Sequence, residues 1–205
     1  MLAVGFVALP AAAQQLAPKH ANFAGERASR EAQQTADWVV DSNNNGTLPF
    51  VIVDKVGAKV FVFDAAGKLS GAAPALLGLA RGDDSAPGIG KRKIADIRPD
   101  ERTTPAGRFV AAVGHRANGE EILWVDYENS ISMHPVINSN RKERRPERLA
   151  SATALDKRIS YGCINVPAKF YEQIVSPIFH RKFGIVYVLP ETRSAREVFS
   201  SYDVD

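Results

Sequence analysis

Phe50-Val51-Ile52-Val53-Asp54 and Lys59-Val60-Phe61-Val62-Phe63-Asp64 stand on either side of a short turn containing Gly57. Both runs are dense in β-branched and aromatic residues and are bounded by turn formers, as the strands of a hairpin are. A second turn, Asp64-Ala65-Ala66-Gly67-Lys68, follows at once. The same texture returns at 73–80, 108–115, 122–127, 130–136 and 184–189. Short strands divided by turn signals predict a mostly β fold, a largely antiparallel sandwich or barrel-like domain with a few short helices.

The flanks differ. Residues 25–42 are rich in helix formers and run into Asn43-Asn44-Asn45-Gly46, a stop and turn signal. Residues 1–9 are apolar and Ala11-Ala12-Ala13 fits a small-residue cleavage site, although no basic residue precedes the apolar run. The expected organisation is a signal peptide, shortened at its front, over 1–13; a helical or linker segment over 14–48; a β-rich domain over 49–190; and a tail over 191–205. An exported protein of the periplasm or cell wall follows, with no integral membrane segment in the mature chain, since no stretch approaches ~20 apolar residues.

Two stretches interrupt the β pattern. Residues 81–103 are polar, Gly/Pro-punctuated and aperiodic, a long loop of the kind that serves as a lid. Residues 138–158 carry seven Lys/Arg against three Asp/Glu, more positive than the net +3 of the 205-residue chain. That run reads either as a solvated face or as an attractor for an anionic partner. The overall balance, 26 basic against 23 acidic residues, is far from the cationic surface of a nucleic-acid module. Cys163 is the only cysteine, which rules out an intramolecular disulfide and any Cys-rich metal centre.

A lone thiol in an exported protein is either an inert core residue or a reactive one. Its neighbours are Arg158-Ile159-Ser160-Tyr161-Gly162-Cys163-Ile164-Asn165. Gly162 permits a close approach or a positive φ. The backbone amides of Tyr161, Gly162 and Cys163 could then converge on one oxygen, as an oxyanion hole requires. Asn165 and Pro167 suit the start of a helix whose positive end would favour the thiolate. A nucleophilic cysteine also needs a base, usually histidine. Of the four histidines, His20 and His180 read as surface residues. His134 sits at the end of a β stretch that Pro135 stops, and spacing prefers it only modestly over His115.

These residues resemble the signature of the L,D-transpeptidase (YkuD) family, a His followed after a spacer by Ser/Thr-His-Gly-Cys-x-Asn/Arg. Thr103-Thr104-Pro105-Ala106-Gly107-Arg108-Phe109 is similar to the same family's Thr-Pro-x-Gly-x-Phe segment. The resemblance spans roughly 49–190 and implies the following roles. Cys163 is the nucleophile, His134 its base, and the carbonyl of Pro135 orients the ring. The amides of Tyr161, Gly162 and Cys163 form the oxyanion hole, and Ser160 and Asn165 support the site. The implied reaction joins peptidoglycan stem peptides by 3→3 cross-links through a thioacyl-enzyme, without metal or cofactor. The sequence departs from the pattern at Tyr161, where the family usually has His, and in the length of the spacer. The alternatives are an L,D-carboxypeptidase or hydrolase using the same site, and a non-catalytic wall-binding module. A papain-like protease places its Cys before its His, the reverse of the order here.

Overall fold

The computed structural model describes residues 17–180 and 182–205; the expected signal peptide lies outside them. The two opening runs pair as an antiparallel hairpin, β1 (Phe50–Asp54) and β2 (Lys59–Phe63), with Phe50 opposite Phe63 and Asp54 opposite Lys59. Around them lie α1 (Arg30–Asp41), β3 (Leu69–Pro74), β4 (Leu77–Gly78), β5 (Gly107–His115), β6 (Glu121–Asp126), β7 (Ile131–Pro135), α2 (Arg145–Ala150), β8 (Arg158–Ser160) and β9 (Ile164–Val166). The chain ends with α3 (Ala168–Phe170), α4 (Ser176–Phe179), β10 (Gly184–Val188) and α5 (Ala195–Phe199).

Eight strands form one sheet in the order β3-β2-β1-β10-β5-β6-β7-β9. Its free edges nearly meet. Beyond β3 the chain pairs Leu76 with Asn165 of β9 through two backbone hydrogen bonds, 2.8 and 2.9 Å, which bends the sheet towards a barrel. The fold is mostly β, as expected, but two junctions of this sheet are parallel, β1 with β10 and β7 with β9, and β4 and β8 form a separate parallel pair. All three join strands separated by long stretches of chain, and a parallel pair needs such a crossover rather than a hairpin.

The central strands are buried on both faces, and alternation sorts their side chains. Val51, Val53, Val60, Val62, Val186 and Val188 enter the inner core with Met133 and Ile164. Phe50, Ile52, Phe61, Phe63, Ile185 and Tyr187 face outward beneath α1, where Ala32, Ala36, Trp38 and Val39 cover them. Ser29 caps α1, its hydroxyl accepting from the Ala32 amide. Phe199 of α5 stacks on Trp38, so both ends of the described chain close over one face of the sheet.

The stretch 81–103 contains three single 3-10 turns, Ile89–Lys91, Ile94–Asp96 and Pro99–Glu101, and is tied at both ends. At its far end Ala80 bridges Thr103. At its near end Lys55, fully buried, donates to the Gly82 carbonyl, to Asp83 at 2.8 Å and to the Thr104 carbonyl at 3.1 Å. Asp83 also accepts from the amides of Glu191, Thr192 and Arg193. Burial alone would raise the Asp83 carboxyl, but these hydrogen bonds, led by that from Lys55, hold it well below the usual carboxylate range. Arg158 completes the network with a 2.6 Å pair to Glu191.

Candidate active site

Parallel pairing of β7 and β9 sets His134 beside Asn165 and Met133 beside Ile164. Because side chains alternate along a strand, Ser132 and His134 share one face of β7 while Met133 takes the other. Cys163 and Asn165 are likewise two residues apart. The face opposite the core therefore collects Ser132, His134, Cys163 and Asn165, while Met133, Ile164 and Val166 anchor both strands in the core.

A chain of hydrogen bonds fixes the histidine. Nδ1 of His134 donates to the Pro135 carbonyl at 2.7 Å, which leaves the lone pair on Nε2. Asn165 Nδ2 donates to that Nε2 at 3.0 Å, and Asn165 Oδ1 accepts from Arg145 at 2.7 Å. Burial, followed by the positive charges of Arg116 and Arg145, pushes the His134 pKa down to about 4. The ring is thus neutral at pH 7. Cys163 Sγ lies 3.6 Å from Ser132 Oγ and 3.7 Å from the Ser130 carbonyl. Thiol and imidazole line one cavity, but the partner of Nε2 here is Asn165 rather than the thiol.

The approach to Cys163 is a tight turn. Gly162 has φ +124°, and a Cβ there would lie 2.7 Å from the Thr103 carbonyl oxygen and 2.8 Å from Ile131 Cδ1. Thr104, fully buried, donates from Oγ1 to the Gly162 carbonyl at 2.7 Å. Ser160 Oγ donates to the Cys163 carbonyl at 2.6 Å and accepts the Gly162 amide at 3.1 Å. Two expectations need correction. The Gly162 amide is committed to Ser160 and is not a free oxyanion donor. The helix expected from an Asn165 cap begins only at Ala168, because Asn165 is drawn into β9 between Leu76 and His134. No helix terminus immediately follows the thiol.

The thiol cavity holds about 460 Å³. Its apolar wall comes from Ile94, Ile122, Trp124 and Ile137, and its charged lining residues are Arg116 and Arg145. Ile94 arrives from the 81–103 loop, and Tyr161 on the opposite bank stacks beneath Arg102 of that loop at 4.0 Å. Of the other histidines, His20 bonds Asp37 at the surface, His115 ends β5 opposite Glu121, and His180 is exposed beyond α4. Among the described residues no three His, Cys, Asp or Glu side chains gather as a metal-binding group. No helix among them is long and apolar enough to cross a membrane.

Ser132, Arg116 and Arg145 are site residues that neither motif names, whereas Thr104 is the threonine of the Thr-Pro-x-Gly-x-Phe stretch. Ser132 follows from alternation, two residues before His134. Arg145 lies within the basic run, where nothing in the spacing distinguishes it. Much of that run turns inward: Arg145 pairs with Glu143, Arg148 donates to the Glu143 and Asp156 carbonyls, and Arg158 is buried.

No family model matches the chain, and no curated protein matches it. Among solved structures it is similar to the helical cell shape determining protein Pgp2 of Campylobacter jejuni, at 16% identity and a TM-score of 0.47, over 72% of this chain and 49% of that one. It is also similar to a cysteine-to-serine mutant of the L,D-transpeptidase of Enterococcus faecium, at 14% identity and a TM-score of 0.38, over 69% and 49%. For the catalytic domain of the enterococcal enzyme, solved by NMR, the values are 14% and 0.34, over 71% and 98%. The chain spans about half the length of the first two.

Proposed function

We propose that this chain is an exported L,D-transpeptidase, a cysteine acyltransferase that joins peptidoglycan stem peptides. The observation that carries the proposal is the single strand-paired face on which Cys163 and a neutral, tautomer-fixed His134 line one cavity. The motif residues Ser160, Gly162 and Asn165 support that face through hydrogen bonds of their own.

In the proposed reaction, Cys163 Sγ bonds to the carbonyl carbon of the penultimate residue of a tetrapeptide stem. The peptide C–N bond to the terminal D-alanine breaks, and the thiol proton passes through His134 Nε2 to the departing amine. An acceptor amine then attacks the thioester carbonyl and gives its proton to His134, and the thiolate leaves. For the first step Nε2 exchanges its contact with Asn165 for one with the thiol, so the Asn165-bound ring is the resting arrangement. The same positive charges that disfavour imidazolium favour the negative charge that grows on sulfur and oxygen. The remaining oxyanion donors are the backbone amides of Tyr161 and Cys163. With Ile94 over the cavity, the 81–103 loop serves as the lid that keeps water from the thioester.

Sacculi incubated with the enzyme and digested to muropeptides test the reading. The expected products are 3→3 cross-linked dimers, absent with Cys163→Ala. Trimmed monomers alone would identify an L,D-carboxypeptidase. Unchanged muropeptides would leave the wall-binding module.

A further inference from the structure

Between α1 and the C-terminal stretch lies a cavity of about 360 Å³ that shares no lining residue with the thiol cavity. Glu31, Gln34 and Thr35 line it from α1, because positions three and four apart on a helix are neighbours. Leu189 and Pro190 add an apolar wall, and Arg196 of α5, Ser201 and Tyr202 line it from the chain end.

The observation that calls for a ligand is Thr35. It is 2% exposed, and its hydroxyl has no hydrogen-bond partner among the described residues. A threonine within a helix can donate to the carbonyl one turn earlier, and Thr35 does not. Buried hydroxyls are nearly always partnered, so one left unpaired in a cavity wall suits a ligand atom that accepts its proton. The charges of the lining are largely settled internally. Arg193 reaches Asp84 at 3.0 Å and Asp83 at 3.7 Å, and Arg196 faces Asp203 at 3.8 Å. Each guanidinium of the lining therefore already has a carboxylate. The remaining charge is Glu31 in the first turn of α1, whose carboxylate only accepts hydrogen bonds. The Tyr202 hydroxyl donates to Asp41 at 2.7 Å, which anchors the ring and leaves its face as apolar contact.

We infer that this cavity binds one ring of a neutral sugar. A sugar hydroxyl both donates and accepts, so neighbouring hydroxyls serve the Thr35 hydroxyl, the Gln34 amide and the Glu31 carboxylate together. The C–H face of the ring packs on Tyr202 and Pro190, giving the apolar wall with a few convergent polar groups that small-molecule sites have. A carboxylate ligand meets guanidiniums that are already paired, and Glu31 repels it. An ammonium can donate to Glu31, but it has no lone pair to accept the Thr35 proton. The inference does not rest on Cys163 being a nucleophile, because its readout is binding.

The test is an NMR titration of the full chain at pH 7 with methyl β-D-glucopyranoside and with cellotetraose. Cyclohexanol, sodium glucuronate and glucosamine hydrochloride are the controls. Saturable shifts at Gln34, Thr35 and Tyr202 are expected for the glucoside, with binding about tenfold tighter than for any control. Tighter binding of cellotetraose supports a glycan chain as the source of the ring, and equal binding supports a free sugar. Thr35→Val weakens glucoside binding about fivefold, while its urea midpoint stays level or rises, since a buried unpaired hydroxyl is removed. Tyr202→Leu also weakens it about fivefold through loss of the ring face. Cys163→Ala binds as the wild type does, so a failure of acyl transfer is told apart from a failure of this site. The absence of saturable shifts at Thr35, equal affinity for cyclohexanol, or wild-type affinity in Thr35→Val overturns the inference.

Discussion

His134 illustrates how neighbours decide what a side chain can do. The Pro135 carbonyl selects the tautomer, Asn165 holds the lone-pair nitrogen, and Arg145 holds Asn165. Burial and the two arginines keep the ring neutral down to a pKa of about 4. As pH falls through that value the base is protonated, so the acid limb of acylation is expected near pH 4 rather than near the ordinary histidine value. Arg116→Gln removes the larger of the two arginine effects, and the limb should move to higher pH. The pH dependence of single-turnover acylation, or the NMR titration of the His134 ring, checks it; an unmoved midpoint contradicts it. The clustering of Cys163, His134, Ser160 and Asn165 was legible in the sequence because a lone cysteine after a glycine turn and a histidine before proline are distinctive residues. Asn165 was misjudged because the same side chain suits a helix cap or a strand, and only its pairing with Leu76 and His134 decides between them.

Between the elements, a buried ionic network holds the loop that carries Ile94 and the strand that leads to the thiol. Lys55 on the chain after β1 meets Asp83 at the start of the loop and, at 3.7 Å, Glu191 after β10, while Glu191 pairs with Arg158 of β8. Removing one partner of a buried pair leaves an uncompensated charge, at a cost of about 3–5 kcal/mol. Lys55→Met should therefore lower the unfolding free energy, read from denaturant titration, by that much and loosen the 81–103 loop, which hydrogen exchange would detect. A loss below about 1 kcal/mol would mean that the network contributes little. Nothing in the sequence foretold it. The strand alternation of β1 and β2 could be read from residue types, but partners as far apart as 55, 83, 158 and 191 come together only through the sheet order.

The titrating groups of the fold act together on its stability. The His134 pKa is about 4 when folded against about 6.5 when unfolded, so between those values the unfolded chain binds the proton and the native chain does not. Stability attributable to His134 is full above pH 6.5 and is lost as pH falls to 4, by about 3 kcal/mol. Asp83 and Glu191, both held below their ordinary range, extend the loss at lower pH. Urea denaturation of His134→Gln should show a flatter slope between pH 4 and 6.5 than the wild type; parallel slopes contradict the burial of a neutral ring. The mostly β class was legible from the strand texture. The near-closure of the barrel was not, because it depends on long-range pairings, Leu76 with Asn165 and β4 with β8, that no local pattern marks.

The most direct test of Cys163 as the nucleophile is intact-mass spectrometry of the full chain mixed with a disaccharide-tetrapeptide and stopped within one turnover. The expected species is protein plus substrate less one D-alanine, with the added mass mapped by proteolysis to the peptide containing Cys163 and missing in Cys163→Ala. Release of D-alanine by Cys163→Ala at the wild-type rate would show that the thiol is not the nucleophile.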